Sequence, residues 1–141
     1  MRLNACPCDS QFFSIGYMSE IKFVSEFLYT IDLNCYNSNI AVVESKEDLF
    51  DELNRKLSFP YFGFNWDALW DMYCDFHWIE QRSIYIYHQG ITHMPFQELA
   101  VYLGIVVDSC EEWKKYPQHD VHFIFNSKEE KIIKDVIKRR L

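Results

Sequence analysis

The chain of 141 residues has little glycine or proline, four of each. That excludes a collagen-like repeat and long low-complexity disorder. Its five cysteines, at 6, 8, 35, 74 and 110, are odd in number and irregularly spaced. They suit free thiols in a reducing cytosol better than a disulfide framework, and paired zinc-type spacing is missing. No apolar run approaches the ~18 residues of a membrane span. The first nine residues, Met1 to Asp9, have no secretory apolar core, so a cytoplasmic protein is expected. No Gly-rich phosphate loop, nucleophile elbow or Cys-His motif occurs, and no catalytic residue or cofactor is expected.

Basic charge is also scarce. Twenty-one acids face fourteen bases, a net of −7. Six bases and three acids fall in residues 128–141, leaving 18 acids against 8 bases before them, a net of −10. That opposes nucleic acid and anionic membranes as partners and favours a basic one. What the chain has in abundance is aromatic: 12 Phe, 9 Tyr and 4 Trp. So many rings place some at the surface, where Tyr and Trp favour interfaces.

Along the chain, residues 1–10 read as irregular, with Cys6-Pro7-Cys8 as a frayed end or a metal or redox pair. In 11–33, Ile21/Phe23 and Tyr29/Ile31/Leu33 alternate like strands, though Ile21, Val24 and Leu28 also fit a helix face. Asn34 to Asn39 reads as a loop and Ile40-Ala41-Val42-Val43 as a strand. Ser45 caps a helix carrying Leu49, Phe50, Leu53 and Leu57. After a loop broken by Pro60 and Gly63, Asn65 caps a second helix over 66–76. Strands follow at Ser83–Tyr87 and Val121–Phe125. Between them a helix starts at Pro95 and runs toward Trp113, whole or broken near Gly104. Ser127 and Glu130 form a capping-box pattern before a helix with Ile132, Ile133, Val136, Ile137 and Leu141 on one stripe.

This order predicts an α/β fold: a three-stranded, mostly parallel sheet with crossover helices. The strands are apolar at nearly every position, so both sheet faces should be covered, with 11–33 and 128–141 as candidates for the second face. The expected division is an N-terminal β extension (1–38), a central domain (39–127), and a C-terminal amphipathic helix (128–141) packed on the same domain.

At 100° per residue, Leu69, Met72, Tyr73 and Phe76 share the core face of the second helix. Asp67, Asp71 and Asp75 form an opposite stripe at i, i+4, i+8, bordered by Trp70 and Cys74. Like charges at that spacing cost helix stability, and Asp75 opposes the helix dipole. The stripe reads either as a solvated acidic face or as a binding surface, with Tyr61-Phe62-Gly63 and Trp70 supplying aromatic anchors. Asp67, Asp71 and Asp75 with His77 could also hold a divalent cation for hydrolysis. His88, His93, His119 and His122 read as surface or capping residues. Lys138-Arg139-Arg140 reads as charge suited to a helix C-terminus.

Residues 57–71, Leu-Ser-Phe-Pro-Tyr-Phe-Gly-Phe-Asn-Trp-Asp-Ala-Leu-Trp-Asp, resemble the signature of barstar-related proteins: Pro, an aromatic pair, Gly, Asn, then Asp-Ala-Leu-Trp-Asp. The element order from about Asn39 to Phe125 is similar too. The resemblance implies a barstar-like fold and a non-enzymatic inhibitor that plugs the active site of a basic ribonuclease toxin, as an immunity protein does. It implies partner contacts from Tyr61, Asn65, Asp67, Trp70 and Asp71, with Asp71 entering the catalytic pocket and Gly63 allowing the loop its turn. The sequence departs from barstar in a loop one residue shorter after Pro60, in Phe64 after the glycine, in Trp66 at an aliphatic position, and in Cys74-Asp75-Phe76 at the helix end. The alternatives are a metal-dependent hydrolase built on Asp67, Asp71 and Asp75, or a regulatory binding module whose partner is no nuclease.

Overall fold

A computed structural model describes residues 19–27 and 34–140. The elements in chain order are β1 (Glu20–Val24), β2 (Cys35–Ile40), α1 (Lys46–Leu57), α2 (Trp66–Tyr73), β3 (Ser83–His88), α3 (Phe96–Lys115), β4 (Asp120–Asn126) and α4 (Glu130–Arg139), with a 3-10 turn at Ser127–Glu129. The strands form one sheet in the order β1-β4-β3-β2, and every neighbouring pair is parallel. The steps β2 to β3 and β3 to β4 move along the sheet in one direction. Right-handed crossovers then place α1, α2 and α3 on the same face. Ile40, Ile84, Ile86, Phe123 and Phe125 meet the apolar sides of these helices there in one core.

Among the described residues the sheet has four strands, one more than expected. Glu20–Val24 does not lie across a face; it extends the sheet beside β4, with Glu20 opposite His122. The candidate strands near Tyr29, Ile31 and Leu33, the first 18 residues and Leu141 lie outside the described residues. The second face is nonetheless buried at its centre, where β3 and β4 carry Tyr85, Tyr87 and Ile124. It also holds a hydrogen bond between His122 Nδ1 and the Glu20 carboxylate (2.8 Å), with Tyr85 stacked on the His122 ring at 4.5 Å.

The largest local difference is β2. The strand occupies Cys35–Ile40, where a loop was expected, and stops where the apolar run begins. Val42 in that run is 57% exposed. An edge strand needs backbone partners on one side only, so polar side chains are tolerated where they find bonds. Ser38 donates to the Tyr85 carbonyl (3.1 Å) and Tyr36 to the Lys56 carbonyl (2.8 Å), while Lys56 takes the Asn39 carbonyl (3.0 Å).

Elsewhere the periodicity holds. Ser45 caps α1 by accepting from the Asp48 amide, and Leu49, Phe50, Leu53 and Leu57 are its buried side. α3 runs unbroken through Gly104. A Cβ there would sit 3.2 Å from the Arg140 side chain, which lies across α3 and reaches Asp108 at 3.2 Å. The Ser127/Glu130 box does not form. Asn126 accepts from the Lys128 amide instead, winding 127–129 into a 3-10 turn before α4 begins. Ile133 and Val136 of α4 join the core beside α3, on the face that already holds the other helices, so α4 does not cover the second face.

Candidate functional site

Between α1 and α2 the chain turns on aromatic packing. Ser58 ends α1 in the left-handed region, its amide bonded to the Asn54 carbonyl. Phe62 then wedges between Phe59 (4.9 Å) and Phe50 (5.5 Å), and Trp66 packs edge-on against Phe50 (4.9 Å). This wedge fixes the loop's inner side and leaves Tyr61 (68% exposed) and Phe64 (50%) facing out. Phe64 has φ 54, a left-handed conformation that costs an ordinary residue on the order of 1 kcal/mol. Asn65 caps α2: its Oδ1 accepts from the Ala68 amide (2.8 Å) and its Nδ2 donates to the Gly63 carbonyl (3.3 Å). Its amide is therefore engaged in shaping the loop.

α2 is held from behind. Leu69, Met72 and Tyr73 are buried, and the Trp113 indole of α3 donates to the Tyr73 carbonyl (2.8 Å). The Tyr73 hydroxyl lies 2.8 Å from that of Tyr102, which lies 2.6 Å from His88 Nε2, while His88 Nδ1 lies 3.0 Å from the Ile124 carbonyl. A carbonyl only accepts, so Nδ1 carries the proton, Tyr102 donates to Nε2, and Tyr73 donates to Tyr102. Every member is satisfied with His88 neutral, and burial pushes the imidazole down to about 4. His88 is thus a fully buried bridge between α2, α3 and the sheet, contrary to the surface or capping role expected of it. His122 is likewise buried and paired. His119 comes nearest to the expected capping role, its Nδ1 2.9 Å from the Gln81 carbonyl.

Asp67 and Asp71 stand exposed on the outer side of α2, with Trp70 partly buried between them. The third aspartate does not join them. The helix ends at Tyr73, not at 76, and Cys74 is its cap. Phe76 takes φ 49 and becomes fully buried near Trp78, Trp113 and His119. Burying that ring turns the chain, and Asp75 pairs instead with His77, through the ring Nδ1 at 2.8 Å and the amide at 3.2 Å. The i, i+4, i+8 stripe is therefore two aspartates about 6 Å apart along the axis. Among the described residues, no group of three His, Cys, Asp or Glu side chains is placed to hold a metal ion.

The Cys74 thiol is pushed up to about 12, first by burial and then by Glu112, Asp71 and Asp108. Two carboxylates of α3, Glu112 and Asp108, are thus felt at Cys74, the cap of α2. They lie one turn apart on α3, a spacing visible in the sequence. Only the packing of α3 against α2 brings them near Cys74.

The Barstar family, described as barstar (barnase inhibitor), matches residues 35–126, more than half of the chain. The chain belongs to the barstar family. The match contains β2, α1, the aromatic loop, α2, β3, α3 and β4, and leaves out β1 and α4. A barstar domain carries a protein-binding, ribonuclease-inhibitor-like role, not an enzymatic one. No curated protein matches the chain. Among the described residues, no helix is long and apolar enough to cross a membrane.

Proposed function

We propose that this barstar-family chain is an immunity protein: a non-enzymatic, cytoplasmic inhibitor that plugs the active site of a basic ribonuclease toxin. The observation that carries this is the outer side of α2 with its preceding loop. Two exposed carboxylates, Asp67 and Asp71, stand beside exposed Tyr61 and partly buried Trp70 on a helix anchored from behind. A ribonuclease active site must bind RNA phosphates, so it is lined by cations. Fixed carboxylates mimic those phosphates, and the rings exclude water around the ion pairs. Asp71 enters the catalytic pocket, Asp67 meets its rim, and Tyr61 and Trp70 supply contact area. Asn65 acts chiefly by setting the loop.

The metal-hydrolase alternative loses its geometric basis, because Asp75 leaves the stripe and pairs with His77. The deciding experiment titrates the full chain into purified basic microbial ribonucleases, barnase among them, and follows heat and RNA cleavage. One-to-one binding with loss of cleavage is expected. Stoichiometric Mg²⁺ or Mn²⁺ binding with turnover, and no ribonuclease inhibited, would overturn the proposal.

A further inference from the structure

We propose that Phe64 is a specificity anchor: its ring enters an apolar pocket of the ribonuclease beside the cationic cleft that receives Asp67 and Asp71. This rests on the inhibitor role above and adds a partner-side feature to it, an apolar pocket at the cleft's edge.

Three observations converge on Phe64. Its ring is 50% exposed, although a phenyl group gains most from burial. Its backbone is left-handed, at φ 54, where glycine or asparagine would sit without strain. The ring is also not needed to close the core behind it, since Phe62 already fills the space against Phe50 and Phe59. Phe64 rests on the outer side of that wedge, 4.8 Å from Phe62. Folding alone thus gives little reason for a phenylalanine in this conformation, and such strain is concentrated at functional sites.

The placement supplies the rest. Phe64 immediately precedes the cap of α2, and Asn65 binds both Ala68 and Gly63, so the backbone that presents the ring is held before any partner arrives. A ring carried on a fixed backbone has less freedom to lose on binding. Asp67 lies three residues on and Asp71 one turn further, so one approach can seat the carboxylates and the ring together. The pocket lies at the Asp67 end of the footprint, away from the site of Asp71. Ribonucleases with the same cationic cleft but a polar or closed surface at that edge would bind less well.

The test uses the full chain with Phe64→Asn, Phe64→Tyr and Asp71→Ala. It measures melting temperature and inhibition constants against the same set of basic ribonucleases. Phe64→Asn should melt within about 3 °C of the parent, because lost ring contact is offset by relief of the left-handed backbone. For the enzyme inhibited best, it should raise the inhibition constant about tenfold or more, with Phe64→Tyr retaining most of the affinity. Parent-like inhibition by Phe64→Asn, with Asp71→Ala weakened, overturns this inference and leaves the inhibitor role standing. A large fall in the melting temperature of Phe64→Asn makes the ring structural and also overturns it. Parent-like inhibition by Asp71→Ala, or no ribonuclease inhibited at all, removes the role on which the inference rests.

Discussion

Buried His88 shows how far a single residue depends on its surroundings. In the sequence it follows an apolar strand and reads as a surface group. In the fold β3 extends to His88, whose ring faces the helices, stacks on Phe125 at 4.2 Å and meets Tyr102. Neither tyrosine is near it in sequence, so the bridge was not legible there. Its folded pKa, about 4, lies below the ordinary 6.5. The folded state therefore binds fewer protons between those values, and the stabilisation is complete above about pH 6.5 and lost as pH falls toward 4. The difference is on the order of 3 kcal/mol. Protonation would also make Nε2 a donor, reversing Tyr102 and leaving the Tyr73 hydroxyl without its acceptor. Urea melts of the parent and His88→Gln between pH 4 and 7 check this. The parent should gain more stability than the variant as pH rises, and equal slopes would show that His88 does not titrate in that window.

The elements were legible in proportion to how much their own side chains decide them. α1 carries its cap and apolar stripe in local sequence and forms on both, whereas its left-handed stop at Ser58 has no glycine or asparagine to announce it. Ser45→Ala should cost it about 1 kcal/mol, measurable in denaturant melts. But for Ile40, β2 lies outside the apolar run because an edge strand is made by its neighbour's backbone, which Asn and Ser do not advertise. α2 is shorter than its apolar stripe because Phe76 fits the helical spacing yet reaches the core through a left-handed turn. The loop and Asp67, Asp71 and Trp70 were legible through the motif; the α3 carboxylates were not, being set by packing. α4 lies outside the family match and buries Ile133 and Val136 against α3. Deleting residues 128–141 should destabilise the protein by several kcal/mol, at roughly 1.5–3 kcal/mol per fully buried large side chain less the ordering entropy. Binding should persist at temperatures where the truncated chain is folded. A truncation that melts like the parent but no longer binds would place α4 in the interface.

On the scale of the whole molecule, charge is sorted along the chain. Nine acids and three bases lie between Glu44 and Glu80, while the excess of bases falls in α4 and its flanks. A basic partner is thus drawn to the α1–α2 side, and association should slow markedly from low to physiological salt, as the Debye length contracts to about 8 Å. Stopped-flow association rates that ignore salt over that range would rule out steering. The central claim is that the outer side of α2 is the inhibitory surface, and calorimetry of Asp71→Ala against the inhibited ribonuclease tests it most directly. Asp71 is exposed and its acidic neighbour Asp67 lies one turn away, so its loss should change folding stability by no more than about 0.5 kcal/mol. In the complex its removal strands the partner's cations, at a cost on the order of 2–5 kcal/mol, an effect for which the family's own barnase–barstar pair is the precedent. The predicted result is a normal melt with binding weakened by that amount, while Asp75→Ala binds nearly as the parent does. Unchanged affinity for Asp71→Ala, with Asp75 or a distant residue dominant, would contradict the account.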